Sequence, residues 1–190
     1  MDPRIARTRS SLQQALLELA RERPSETITV GDIAERAGVN RSSFYQHYSD
    51  KETLLADALD AAAEAAAAKL PLLEELPDGP PAALVAYLTH VDANADLYRR
   101  ALGEQGSAVV MARVRGTIET VVRDAVAGSG VPGSGVPGFD DVPIDVVAAG
   151  ITGSALGVIR AWVDRDPRPP VEAATAWLWR MLLGPSGPAR

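Results

Sequence analysis

Residues 41–48, Arg-Ser-Ser-Phe-Tyr-Gln-His-Tyr, form a run in which every side chain but that of Phe44 donates or accepts hydrogen bonds. Arginine suits a two-point hydrogen bond to guanine, and glutamine suits the same contact to adenine. Serines at 42 and 43 are small enough to let a helix approach the floor of a groove. The tyrosines, His47 and the nearby Lys51 suit phosphate oxygens. A scaffold helix would carry more aliphatic residues and more paired charges. The chemistry on offer is therefore recognition of a polar, anionic surface, with Arg41, Ser42, Ser43 and Gln46 as candidates for reading bases.

Such a run needs rigid support, and residues 28–55 supply the signals for it. Thr29 and Asp32 are spaced as a capping box, which satisfies backbone amides at both ends of a first turn. Ile33, Ala34 and Ala37 fall on one helical face. Gly38 stands where a left-handed helix end is needed, with Val39 placed to fold back on the helix. Asn40 can cap the next helix, Arg41–Tyr48, and Ser49 with Glu52 is spaced as a further capping box. Two short helices joined by a glycine-containing turn are the geometry of a helix-turn-helix, whose second helix enters the DNA major groove.

The segment Ile28–Leu55, with the amphipathic helix before it, resembles the DNA-binding domain of the TetR family of bacterial regulators. The resemblance rests on the Asp-Ile-Ala core of the first helix, the Ala-Gly-Val turn, Phe44-Tyr45-x-His47-Tyr48, and Lys51-Glu52 followed by a Leu-Leu pair. It covers about the first third of the chain. It implies an all-α fold of about nine helices, with an N-terminal helix-turn-helix domain (1–70, motif about 29–48) and a C-terminal ligand-binding and dimerisation domain (71–190). It also implies that Tyr45 and Lys51 hold the DNA backbone. The DNA-facing set is then Thr29, Arg41, Ser42, Ser43, Tyr45, Gln46, His47, Tyr48 and Lys51. The partners implied are a double-stranded DNA operator, a small-molecule effector and a second copy of the chain, with no cofactor.

Composition is compatible with this reading. The 190 residues suffice for two cores, and the absence of cysteine removes disulfides, thiolate metal sites and cysteine nucleophiles. The net charge of −6 is unevenly placed. Up to Leu55, eight basic residues balance eight acidic ones, so the deficit falls wholly on the remainder. Arg4, Arg7 and Arg9 precede or open the first helix, where they could reach phosphate. There is no secretory signal pattern and no uninterrupted apolar run of about 20 residues, so a cytoplasmic location and no membrane partner are expected.

Apolar periodicity and proline breaks predict helices over about 4–23, 50–69, 82–93, 95–102, 108–127, 144–164 and 171–183. Gly-Ser-Gly-Val-Pro occurs twice between Gly128 and Pro143 and reads as a loop. The last two helices are too apolar to stay exposed. Gly150, Gly153 and Gly157 permit close approach, and Val158, Ile159, Trp177 and Leu178 offer apolar area, which predicts a dimer interface. Tyr87, His90, Tyr98, Met111 and Trp162 are candidates for an effector pocket. No catalytic or metal-binding constellation is expected. Asp140, Asp141 and Asp145 cluster beside a Gly-Pro loop but lack the spacing of a calcium loop. A helical ligand-binding or interaction protein without sequence-specific DNA binding is the alternative, and its expected mark is a damaged recognition helix.

Overall fold

The computed structural model describes residues 3–69, 79–104, 106–127 and 142–183. They are helical throughout: α1 (Pro3–Glu22), α2 (Val30–Arg36), α3 (Arg41–His47), α4 (Lys51–Ala67), α5 (Ala82–Ala93), α6 (Ala95–Leu102), α7 (Ala108–Ala127), α8 (Ile144–Val163) and α9 (Val171–Leu183). Among the described residues there is no strand, and a single 3-10 turn, Ser25–Thr27, was not expected from sequence. The Gly-Ser-Gly-Val-Pro repeat, Asp140 and Asp141 lie outside the described residues.

Two compact units are interleaved along the chain. The first comprises residues 1–61 and 93–114, and the second residues 62–92 and 115–190. In the first, α1 buries Leu12, Ala15, Leu16 and Leu19, one stripe at helical spacing, against Ile28, Ile33, Phe44, Tyr48 and Leu54. Residues 93–114 join this unit through polar contacts that include Asn94, Arg100 and Arg113. Asn94, just before α6, is buried and accepts from Arg21 Nε at 3.2 Å. Arg100 pairs with Glu26 in the turn after α1.

In the second unit, α8 packs along α9. Val147, Ala148, Thr152, Leu156, Ile159, Trp162 and Val163 are the buried residues of α8, and Ala174 and Leu178 are buried on α9. Trp162 donates its indole N–H to Pro169 O at 2.8 Å, which fixes the turn between the two helices. Arg168 in that turn donates to Asp92 Oδ1 at 2.7 Å. By length and composition α8 is apolar enough to cross a membrane, although its sequence has no uninterrupted apolar run. Here its buried face is matched by α9.

The predicted interface residues divide. Ile159 and Leu178 are 1% and 2% exposed and belong to the chain's own core, because they lie on the facing sides of α8 and α9. Gly150, Gly153 and Gly157 lie on the opposite, exposed side with Ala149 and Val146. A Cβ at any of the three glycines would meet nothing within 4 Å.

Candidate nucleic-acid interface

The local sequence builds the helix-turn-helix by satisfying its helix ends. The Thr29 hydroxyl accepts from Asp32 N at 3.2 Å, and Asp32 Oδ2 accepts from Thr29 N at 2.8 Å, which completes the capping box. At the other end of α2, Val39 N donates to Ala34 O at 2.9 Å and Gly38 N to Glu35 O at 3.1 Å, the paired bonds of a Schellman turn. Gly38 has φ +69°, where a residue with a Cβ would cost about 1–2 kcal/mol. Asn40 then caps α3 by accepting from Ser43 N at 2.7 Å and from the Ser42 hydroxyl at 2.6 Å.

Phe44 anchors α3, with no exposed surface, and Tyr45 packs edge-on to it with ring centroids 5.3 Å apart. Arg41, Ser42 and Gln46 are exposed, Ser43 and His47 half-buried, and Tyr45 retains 54% exposure. Thr29 is exposed at the start of α2. These seven residues of the predicted set therefore stand at or near the surface, and the outer side of α3 is polar.

Tyr48 is a correction. It is 3% exposed, and its hydroxyl donates to Asp57 Oδ2 at 2.5 Å, so it cannot present a donor to DNA. Its ring fills the core as the C-cap of α3. Arg9 is a second correction. It donates to both Asp57 oxygens, at 2.5 and 3.3 Å, and its guanidinium lies 5.7 Å from the Tyr48 ring centroid. Arg4 and Arg7 remain exposed on α1. The cap of α4 also moves by one residue. Asp50, rather than Ser49, accepts from Thr53 N at 2.7 Å, while the Ser49 hydroxyl turns to Asp50 and Thr53 side chains.

Lys51 is half-buried, and its ammonium donates to Ser25 O at 2.7 Å and Ile28 O at 3.0 Å. Burial, and then the nearby Arg100 cation, push its pKa down. The residue thus ties the start of α4 to the segment that delivers Thr29, with at most one ammonium hydrogen left over for a phosphate. Lys51→Ala is expected to lower stability by about 1–3 kcal/mol, because two carbonyls lose a charged donor. A thermal melt of the variant checks this. An unchanged midpoint would contradict the bracing role.

The network around Asp57 was not anticipated. Gln13 Nε2 donates to Asp57 Oδ2 at 2.7 Å, and Arg113 of α7 donates to Asp57 Oδ1 at 2.8 Å while pairing with Asp60 at 2.5 Å. Burial would raise the Asp57 pKa. Hydrogen bonds from Arg9, Tyr48 and Gln13 together outweigh it and hold the carboxyl at about 2. Conversely, burial, and then the bond to Asp57, push the Tyr48 hydroxyl up to about 12. One carboxylate thereby ties together α1, the end of α3, α4 and the start of α7. The signal available in sequence was Asp57 and Asp60, one turn apart in an otherwise apolar stretch of α4.

The five candidate effector residues are divided between the two units. Tyr98 and Met111 belong to the first unit, and Tyr87, His90 and Trp162 to the second. Tyr98 and Trp162 are core side chains, 1% and 0% exposed. Of the five, Tyr87 alone lines a largely apolar cavity between helices of the second unit, and His90 lines a neighbouring recess.

Comparison with known proteins agrees with this geometry. The family described as bacterial regulatory proteins, tetR family, matches residues 13–58. An uncharacterized HTH-type transcriptional regulator, YxbF of Bacillus subtilis (strain 168), is 43% identical over 56 residues, which is 29% of this chain and 15% of that protein. The chain thus matches well under two thirds of that relative's length. Among solved structures, a TetR transcriptional regulator from Streptococcus agalactiae 2603V has a TM-score of 0.57 at 23% identity, covering 95% of this chain and 96% of that one. FadR of Thermus thermophilus, a TetR-family transcriptional repressor in complex with lauroyl-CoA, has a TM-score of 0.58 at 17% identity, covering 96% and 95%. At such identities these structures speak to the fold. Residues 13–58 thus match the DNA-binding domain of the TetR family in sequence, and nearly the whole chain is similar in fold to solved structures of that family.

Proposed function

We propose that this protein is a DNA-binding transcriptional regulator, a repressor that acts in the cytoplasm as a homodimer on a palindromic operator and responds to a small molecule. The observation that carries the reading is the outer side of α3, where Arg41, Ser42, Tyr45 and Gln46 are exposed on a helix fixed by Phe44 and by caps at both ends of the turn. Arg41, Ser42, Ser43 and Gln46 read bases, and Tyr45 and the start of α4 hold phosphate. The functional division falls near residue 70, with DNA recognition before it and effector response and dimerisation after it.

Ligand response is supported by an apolar cavity in the second unit and by the lauroyl-CoA complex of the Thermus relative. Dimerisation is supported by the exposed small-residue side of α8. Effector binding is proposed to weaken operator binding. α4 is suited to a role in this, since it carries Asp57 and Asp60 and, within the next ten residues, Ala63, Ala66 and Ala67 of the cavity wall.

Selection from a random DNA pool with purified protein tests the proposal, and a two-fold symmetric motif is expected to emerge. Gln46→Ala should relax preference at one position of each half-site, at a cost of about 1–3 kcal/mol there. A pool that yields no enriched sequence would remove the proposal.

A further inference from the structure

The second unit holds a cavity of about 120 Å³ walled by α4, α5, α7, α8 and α9. Among the described residues that line it, none is charged, and Tyr87 alone bears a polar side-chain atom. Alanines form much of the wall, including Ala63, Ala66 and Ala67 of α4 and Ala155 of α8. The space exists because these side chains are short where helices cannot approach further. An apolar cavity of about 150 Å³ stays dry and accepts benzene, so this volume is on the scale of a single ring or a short hydrocarbon chain.

A second recess lies alongside and shares Ala66, Ala83 and Tyr87 with the cavity. Lys69 and His90 line only this recess. The cationic and titratable side chains therefore stand outside, separated from the cavity by two methyl groups and a phenol ring. A carboxylate drawn into the cavity would shed its hydration with no cation among the described lining residues to receive it, which costs several kcal/mol. A neutral hydrocarbon surface gains on the same transfer.

We infer that this cavity takes an uncharged, apolar small molecule of about one aromatic ring, admitted past Tyr87 through the seam between α4 and α5. The inference deepens the effector reading above by naming the chemical class of the ligand, and it rests on that reading only for the ligand's consequence at DNA.

The test uses the full-length protein and two matched pairs of probes, toluene with benzoate and 1-hexanol with hexanoate. Calorimetric titration and thermal melts are expected to show binding and a raised Tm with toluene and hexanol, and neither with the two anions. Ala155→Leu occupies the cavity and should weaken toluene binding by about tenfold or more. The wild-type pairs decide the matter if that variant does not fold. Benzoate or hexanoate bound as tightly as its neutral partner would overturn the inference, as would binding of neither neutral probe. Anisotropy with the selected operator, run in parallel, separates the two readings. Protein that binds operator but not toluene contradicts the ligand class alone. Protein that binds toluene but no DNA supports the ligand class and contradicts the regulator.

Discussion

Gly153→Glu should leave the chain folded, convert it to a monomer, and lower operator affinity by about 10³-fold or more, towards the level of non-specific binding. Gly153 lies on the exposed side of α8 with Ala149, Gly150 and Gly157, and Val146 beside them is 54% exposed. A Cβ there meets nothing within 4 Å, so the chain itself has room for a larger side chain. Replacing glycine inside a helix should even favour the helix, by up to about 1 kcal/mol. In a dimer built on this side, however, the glutamate would be carried into close helix–helix contact without a partner. A single α3 touches few base pairs, and specificity needs two. Sedimentation at micromolar concentration, with a melt to establish folding, measures the first part of the effect, and an operator titration measures the second. A variant that still sediments as a dimer would place the interface elsewhere.

Asp57→Ala should lower stability by about 3–5 kcal/mol, the range for breaking a buried charge pair by removing one partner. Its loss leaves the Tyr48 hydroxyl buried, and it releases Arg9, Gln13 and Arg113 together. DNA binding should fall with it, since Tyr48 terminates α3. The network also predicts a pH dependence. The Asp57 carboxyl is held at about 2 in the folded chain, below an unfolded value near 3.9. Its contribution is therefore present above about pH 4 and is lost as pH falls through about 2. Tyr48 acts at the other limit. Its pKa, raised to about 12, gives stability that is complete below about pH 10 and lost as pH rises towards 12. Denaturant melts across these ranges would show both, and Asp57→Asn should flatten the acid limb. An acid limb equal in wild type and Asp57→Asn would contradict the assignment.

The helices were legible because their signals are local. Thr29 with Asp32, Gly38, Asn40 and the flanking prolines act through the backbone within a few residues, so spacing alone places them. Residues that act at a distance were not legible in the same way. Tyr48 and Lys51 sit in a polar run that suggests an outward face, yet one hydroxyl is consumed by Asp57 and one ammonium by Ser25 and Ile28. Each of those partners is contacted only once the chain has folded. Arg9 followed the same course, taken by Asp57. The cavity was not legible for a different reason. Large aromatic residues such as Trp162 and Tyr98 fill space, whereas a cavity opens where side chains are small. Alanines in a helix look like helix propensity alone until their neighbours are known. On α8 the glycines lie exposed, while Ile159, expected to share their surface, turns inward onto α9.

The most direct measurement is a hydroxyl-radical footprint of the purified protein on its selected DNA. Two equal protected half-sites on one face of the duplex are expected, their centres about 34–36 Å apart or a multiple of that, as for paired recognition helices. Both should vanish together when Arg41, Ser42, Ser43 and Gln46 are replaced by alanine. Protection that survives this replacement unchanged, or no protection at any concentration below that of non-specific binding, would contradict the account.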